Sequence, residues 1–323
     1  MDVLSDVLAI MRTGRPRSVR IEWHAPWGQR FPSAPGSAGF QVVLQGSCWL
    51  LPPGGAPVAL SVGDVLFFPH GHGYALADSP ATPVAEPQCD PLAEGGLFES
   101  ASVGGSGPAT ILLCGGYQLD PARAHPVLRE LPELIHLPAQ LGLHSELRAA
   151  VDLLGAEIRQ PRLGADTIVS SLLDMLLLYI LRARFDADNG QCELTGWALA
   201  LSDPSISAAL DAMHRDPAHP WTVAELAGRA GLSRAAFARR FTTLVGQPPL
   251  TYLTWWRLAT AARLLQESDA PLGEISARVG YGSEFAFANA FKREYGLAPG
   301  RYRRNPCSAP SAAALPIRDV VKT

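Results

Sequence analysis

Two stretches of this chain set hydrogen-bonding side chains beside a pair of phenylalanines four residues apart. In "SRAAFARRF" the pair is Phe237 and Phe241; in "SEFAFANAF" it is Phe287 and Phe291. On a helix, residues so spaced share one face. That face turns inward, so Arg234, Ala235, Ala238, Arg239 and Thr242 face out in the first stretch. In the second, Glu284, Phe285, Ala286, Ala288 and Asn289 are on or near the open side. An arginine fork matches the O6/N7 edge of guanine, an asparagine amide matches adenine, and a glutamate accepts from a cytosine amine. Arg239 is therefore the best base reader of the first stretch, and Asn289 and Glu284 those of the second. Arg234, Ala235, Ala238, Phe285 and Ala286 lie beside them. Ser233, Arg240, Thr242, Ser283, Lys292, Arg293, Arg301, Arg303 and Arg304 suit phosphate oxygens, which supply affinity rather than sequence. The alternative for each cation is a solvated helix face.

Base reading requires elements that hold such a helix out into a groove. The first copy starts at "WTVAELA", where Thr222 caps a helix and Glu225 completes a capping box. Gly231 permits the positive φ of a sharp turn, and Ser233 caps the second helix. Small Ala227 lets the two helices approach closely, as a helix-turn-helix requires. The second copy repeats this with Glu274, Ile275, Ser276, Gly280 and Ser283, after one inserted residue. Each copy is followed by G-x-x-P-x-x-Y: Gly246, Pro249, Tyr252, then Gly296, Pro299, Tyr302. Between the copies, Pro249–Ser268 reads as one helix with proline in its first turn. Two such units on one rigid helix can enter successive major grooves about 34 Å apart.

Charge follows the same division. The 323 residues sum to -3, yet 205–305 carry about +5 and the rest is acidic. At 47% hydrophobic, the chain can build two domains. Cys48, Cys89, Cys114, Cys192 and Cys307 show neither a disulfide pattern nor zinc spacing. The apolar run Leu172–Leu181 is too short to span a bilayer and contains Asp174. No N-terminal leader pattern is visible, so the sequence reads as a cytoplasmic protein without membrane attachment.

Residues of about 18–120 alternate short apolar runs with Gly and Pro turns, as in an antiparallel barrel or sandwich. The stretch from Ala81 to Gly107 reads as a loop. Helices follow at about 145–185: one opens at Ser145, and the second is Ala165–Phe185, whose apolar residues exceed one core stripe and suggest a dimer face. The expected organisation is 1–190 as one domain, a linker over 191–204, a DNA-binding domain over 205–305, and a loose tail over 306–323. The fold class is α+β multidomain, with an N-terminal antiparallel β-barrel and its helices and a C-terminal all-α double helix-turn-helix domain.

Residues 205–305 resemble the DNA-binding domain of AraC/XylS-type transcriptional regulators, most specifically in "ISARVGYGSEFAFANAFKREYGLAPGRYRR" (Ile275–Arg304). One departure is Asn289, where that family commonly has arginine. "DVLSDVLAIMR" (Asp2–Arg12), "GSCWLL" (Gly46–Leu51), "GDVLFFPHGHGYALADSP" (Gly63–Pro80) and "LLCGGYQL" (Leu112–Leu119) resemble the branch whose sensor is a cupin-type barrel. The resemblance implies a barrel that receives a signal, helices that form a homodimer, and a switch of transcription through RNA polymerase at double-stranded DNA.

Candidate signal residues are Cys48, Cys89 and Cys114 for an oxidant, Cys89 being the most exposed by its place in the loop. A small molecule in the barrel mouth is the other route. His70 and His72 share a strand face, as a metal-binding cupin requires, but the following Glu and the third His of such a site are missing. No cofactor and no catalysis are expected. The alternatives are a metal-dependent cupin enzyme fused to a DNA-binding module, and a helical scaffold that does not bind DNA.

Overall fold

The computed structural model describes residues 2–86, 98–119, 125–139, 144–185 and 196–304. Helix α1 (Val3–Met11) precedes nine strands: β1 (Arg12–His24), β2 (Gly28–Phe31), β3 (Ser37–Gln45), β4 (Ser47–Leu51), β5 (Val58–Ser61), β6 (Val65–Phe68), β7 (Tyr74–Ala77), β8 (Phe98–Gly104) and β9 (Ala109–Leu119). Helix α2 (Pro126–Arg129), strand β10 (Ile135–Leu137), α3 (Ser145–Arg159) and α4 (Ala165–Phe185) follow. The remainder is helical: α5 (Trp197–Ser202), α6 (Pro204–Arg215), α7 (Val223–Arg229), α8 (Arg234–Val245), α9 (Pro249–Glu267), α10 (Leu272–Arg278), α11 (Glu284–Tyr295) and α12 (Pro299–Arg304).

Packing divides the chain into two units. The first gathers the described residues of Thr13–Leu119 and Leu131–Asp186. Its strands form a six-stranded sheet, β10-β6-β3-β9-β1-β8, and a four-stranded sheet, β2-β7-β4-β5. Strands β3, β6, β9 and β10 pair antiparallel, whereas β1 and β8 are parallel. Strand β8 lies in the stretch read as a loop. Its "FESASVG" has too few large apolar residues to announce a strand, and its pairing with β1 comes from far along the chain.

Strands β3 and β9 are buried on both faces. Val43, Leu112 and Cys114 join the apolar cluster between the sheets, while Phe40 packs tilted against Tyr117 on the other face. The Tyr117 hydroxyl donates to the Leu173 carbonyl of α4 at 2.6 Å, which ties this helix to the back of β9. Gly115 pairs with Phe40 and makes room for its ring, which a side chain there would strike. Helix α3 buries Leu147, Val151, Leu154 and Ile158 as its periodicity requires. It begins one residue earlier than a Ser145 cap implies: His144 is the N-cap at φ 54, and Ser145 Oγ binds Glu146 instead.

The second unit gathers the described residues of Met1–Arg12, Asp120–Glu130 and Ala187–Ala309. The sequence reading draws its border near 190; packing adds two earlier segments to the C-terminal helices. Helix α1 buries Val3, Val7, Leu8, Ile10 and Met11 and contacts α6 and α9. Helix α5 occupies part of the expected linker over 191–204, and its Trp197 is fully buried. Six residues are too few to show a helical period. The expected tail lies outside the described residues. Among the described residues no helix is long and apolar enough to cross a membrane.

Candidate nucleic-acid interface

Each reading unit is built by its caps. Thr222 Oγ1 accepts from the Glu225 N–H at 3.2 Å, and Glu225 Oε2 accepts from the Thr222 N–H at 2.8 Å, so the capping box is complete. The Thr222 hydrogen bonds hold the Glu225 carboxyl below its ordinary range. After α7 the chain turns at Gly231, with φ 65. Ser233 then caps α8 by accepting from the Ala236 N–H. Phe237 and Phe241 are fully buried with ring centres 5.5 Å apart. Behind this anchor Arg234, Ala235, Arg239 and Thr242 stand exposed, with Ala238 half-buried between them.

The second unit repeats the turn and the second helix, although α10 starts after Pro271 without a side-chain cap. Gly280 turns at φ 78, Ser283 accepts from the Ala286 N–H, and Phe287 and Phe291 are buried 5.6 Å apart. Phe285, Ala286 and Asn289 are exposed, and Phe285 shows 79% of its surface. Lys292, Arg293, Arg301 and Arg304 are also exposed.

Two of the expected phosphate-binding arginines have partners within the protein. Arg240 is not a free cation: its Nε donates to Asp203 Oδ2 at 2.6 Å and its Nη2 lies 2.5 Å from the same oxygen. Asp203 in turn caps α6 through the Ser205 and Ile206 N–H groups. Burial pushes its carboxyl upward, but those hydrogen bonds and Arg240 outweigh burial and hold it low. Arg303 donates to the Ala270 carbonyl and is half-buried, so it braces α12. Asp203 and Ala270 lie more than thirty residues from these arginines, so no local spacing announces either partner. Glu284 is exposed near the open side, with its carboxylate beside Gly273 of α10.

The sequence reading also missed a buried polar chain under the first unit. His125 Nδ1 accepts from the Val127 N–H at 3.0 Å, so the ring carries its proton on Nε2. That proton faces the Tyr252 hydroxyl at 3.0 Å, and Tyr252 donates onward to His214 Nε2 at 2.6 Å. His214 Nδ1 then faces the Asp6 carboxylate at 3.5 Å. Burial drives both imidazole pKa values down, and Asp6 opposes that effect at His214. Tyr252 is the tyrosine of the first G-x-x-P-x-x-Y. Its partners come from three remote segments, so no spacing could announce them.

Comparison with known proteins assigns this architecture. A cupin family model matches residues 2–186 and a helix-turn-helix domain model matches 226–305. A relative from Streptomyces lividans, named an AraC-like transcription regulator, is 35% identical over 95% of this chain and 99% of its own length. The chain belongs to the AraC-like transcription regulators. A second relative, from Streptomyces antibioticus, carries the same description at 35% identity, over 95% of this chain and 99% of its own. The regulator MtrA of Neisseria gonorrhoeae is 28% identical over 94% and 98%. The solved DNA-binding domain of AdpA, in complex with a target DNA, is 36% identical over 32% of this chain and 91% of its own, with TM-score 0.30. This AraC-like chain is thus a DNA-binding regulator of transcription with an N-terminal cupin domain, and double-stranded DNA is its partner.

The candidate signal residues of this regulator lie in its barrel unit. Cys48 and Cys114 are buried, each 1% exposed, and packed in the cluster with Trp23, Leu50 and Leu112. Burial, helped by the Asp64 charge, pushes the Cys48 thiol up to about 12. A thiol so protonated is a poor nucleophile toward oxidants. Cys89 lies outside the described residues. His70 Nε2 lies 2.9 Å from the Leu131 carbonyl oxygen, and His72 faces Glu133 at 3.7 Å. Their rings meet edge-on with centres 5.7 Å apart, and the described residues hold no group of three metal-ligating side chains.

Proposed function

We propose that α8 and α11 enter successive major grooves of one DNA face, with base reading divided between them. Arg239 reads guanine, with Arg234, Ala235 and Ala238 at the neighbouring base edges. Asn289 reads adenine, Ala286 lies beside it, and the exposed Phe285 ring packs on a thymine methyl. Ser233, Thr242, Ser283, Lys292, Arg293, Arg301 and Arg304 hold phosphates. The observation that carries this reading is the repeated geometry: two capped helices, each anchored by two buried phenylalanines, each leaving one side exposed.

The chain acts without catalysis in the cytoplasm, as a homodimer that communicates with RNA polymerase. Support for the dimer comes from α4, where Ile168 and Met175, seven residues apart, are 43% and 40% exposed on one face. A signal at the barrel unit modulates activity. Large side chains such as Trp23, Trp27 and Phe68 pack between the two sheets. A small open cleft of about 70 Å3 lies between β3, β6 and α3, lined by Val43, Val65, Leu147 and Val151 with Arg148 and Asp152.

Footprinting on the DNA upstream of its own gene, combined with selection from a random duplex pool, tests the reading. Protection of two segments one helical turn apart, with affinity falling steeply as salt rises, supports it. Protection of a single short segment overturns the two-groove docking.

A further inference from the structure

The two turn glycines, equivalent in sequence, have different surroundings. Gly231 has open space where a Cβ would stand, so only its φ requires glycine. At Gly280 a Cβ would fall 2.8 Å from the Ala218 carbonyl oxygen and 2.9 Å from Arg257 Nη2. The turn of the second unit is therefore pressed onto the segment that leads into the first.

That segment, 216–221, is stiff and joined to α7. His219 N donates to Asp216 Oδ1 at 3.1 Å, Trp221 Nε1 donates to the Asp216 carbonyl at 2.9 Å, and the His219 and Trp221 rings lie 4.3 Å apart. His219 also faces Glu225, the capping residue of α7, at 3.7 Å. Arg257 reaches the segment from the joining helix α9. Its Nε donates to the Pro217 carbonyl at 2.6 Å and its Nη2 to the His219 carbonyl at 2.7 Å. One planar guanidinium thus holds two loop carbonyls, either side of Ala218, and abuts the Gly280 turn. A fork can do this and a point charge cannot.

Helix α9 joins the reading units, setting Tyr252 against Phe241 of the first and Leu258 and Ala262 into one core with Phe287 and Phe291 of the second. The contact at Gly280, Ala218 and Arg257 is a second tie between the units, made outside those cores. We propose that Arg257 is a positioning residue that fixes α8 relative to α11 and thereby sets the half-site spacing the regulator accepts. The proposal rests on both helices reading DNA. It adds a residue that touches no base yet determines which operators are bound, by removing before binding the disorder that docking would otherwise have to remove.

The test uses the full chain and the best duplex that the wild type selects from a random pool. Affinity is measured for that duplex, for versions with one base pair added or removed between half-sites, and for versions with either half-site scrambled. The wild type is expected to prefer the selected spacing by about tenfold or more, and Arg257→Met to lower that preference to about two- to threefold. Affinity for each single half-site stays within about twofold, because the helices themselves are unchanged. Arg257→Lys, which keeps the charge but holds one carbonyl at a time, should fall between them. Gly280→Ala should broaden spacing from the other side of the contact. Should Arg257→Met fail to fold by circular dichroism, the Arg257→Lys spacing profile decides. A folded variant with the wild-type profile overturns the role of Arg257. A wild type indifferent to scrambling of one half-site overturns two-helix reading, and this proposal with it.

Discussion

Arg239 and Arg240 are neighbours in sequence with opposite roles. Arg239 stands exposed beside the buried Phe237–Phe241 pair, while Arg240 is held by Asp203, the cap of α6. Arg239→Ala should cost roughly 1–3 kcal/mol of operator binding and relax selection at one base position. Competition binding with single-base operator variants measures it; an unchanged base preference would mean that α8 is docked wrongly. Arg301→Ala should instead weaken all sequences alike and lower the salt slope by about 1, as loss of one phosphate contact does. Arg240→Ala should leave base preference unchanged and lower the melting temperature, because it removes the partner of a carboxylate that caps α6. Titration at several salt concentrations, with thermal melts of the same samples, separates these three arginines.

Caps and turns at the element scale explain why the helical unit was readable. Thr222, Ser233 and Ser283 each announce a helix start through a local hydrogen bond, and the structure contains all three. Thr222→Ala should therefore destabilise the chain by about 1 kcal/mol, read as a lower melting temperature. An unchanged melt would show that α7 is held by packing alone. The G-x-x-P-x-x-Y repeats were legible for a similar reason: Gly246 and Gly296 end helices at φ 80 and 71, and Pro249 and Pro299 open the next ones. What failed to show in the sequence depends on remote partners. Strand β8 exists by pairing with β1, α5 by burying Trp197, and Arg240 is held by Asp203. Ser145 is the instructive local error: its hydroxyl prefers Glu146, and the helix begins one residue sooner. Periodicity and capping record neighbours within a few residues, and they record nothing of contacts between segments a hundred residues apart.

The whole molecule adds a consequence for any dissection of this regulator. The helical unit contains α1 and the 125–130 segment, so a fragment over 196–304 lacks both Asp6 and His125. Tyr252 then loses the imidazole that donates to it, and His214 loses its carboxylate. A buried polar group left without its partner costs about 1–3 kcal/mol. The fragment should melt several degrees below the same unit in the full chain, followed by near-UV circular dichroism from its tryptophans. The pH dependence separates this cause from a general loss of packing. In the folded chain both histidines are held neutral with lowered pKa values, whereas in the unfolded chain they take up protons near their ordinary pKa of about 6.5. Unfolding therefore binds protons below that pH, and stability falls as pH drops from 7 to 5. The low carboxyls Asp203 and Glu225 act in the same direction only at lower pH, below this window. With His125 absent and His214 no longer sealed, the fragment should show a flatter melting profile over the same range. A fragment that matches the full chain in both melting temperature and pH slope would show that α1 and 125–130 contribute nothing to the DNA-binding unit. A lower and flatter profile would make the two segments bordering the barrel structural parts of the domain that reads DNA.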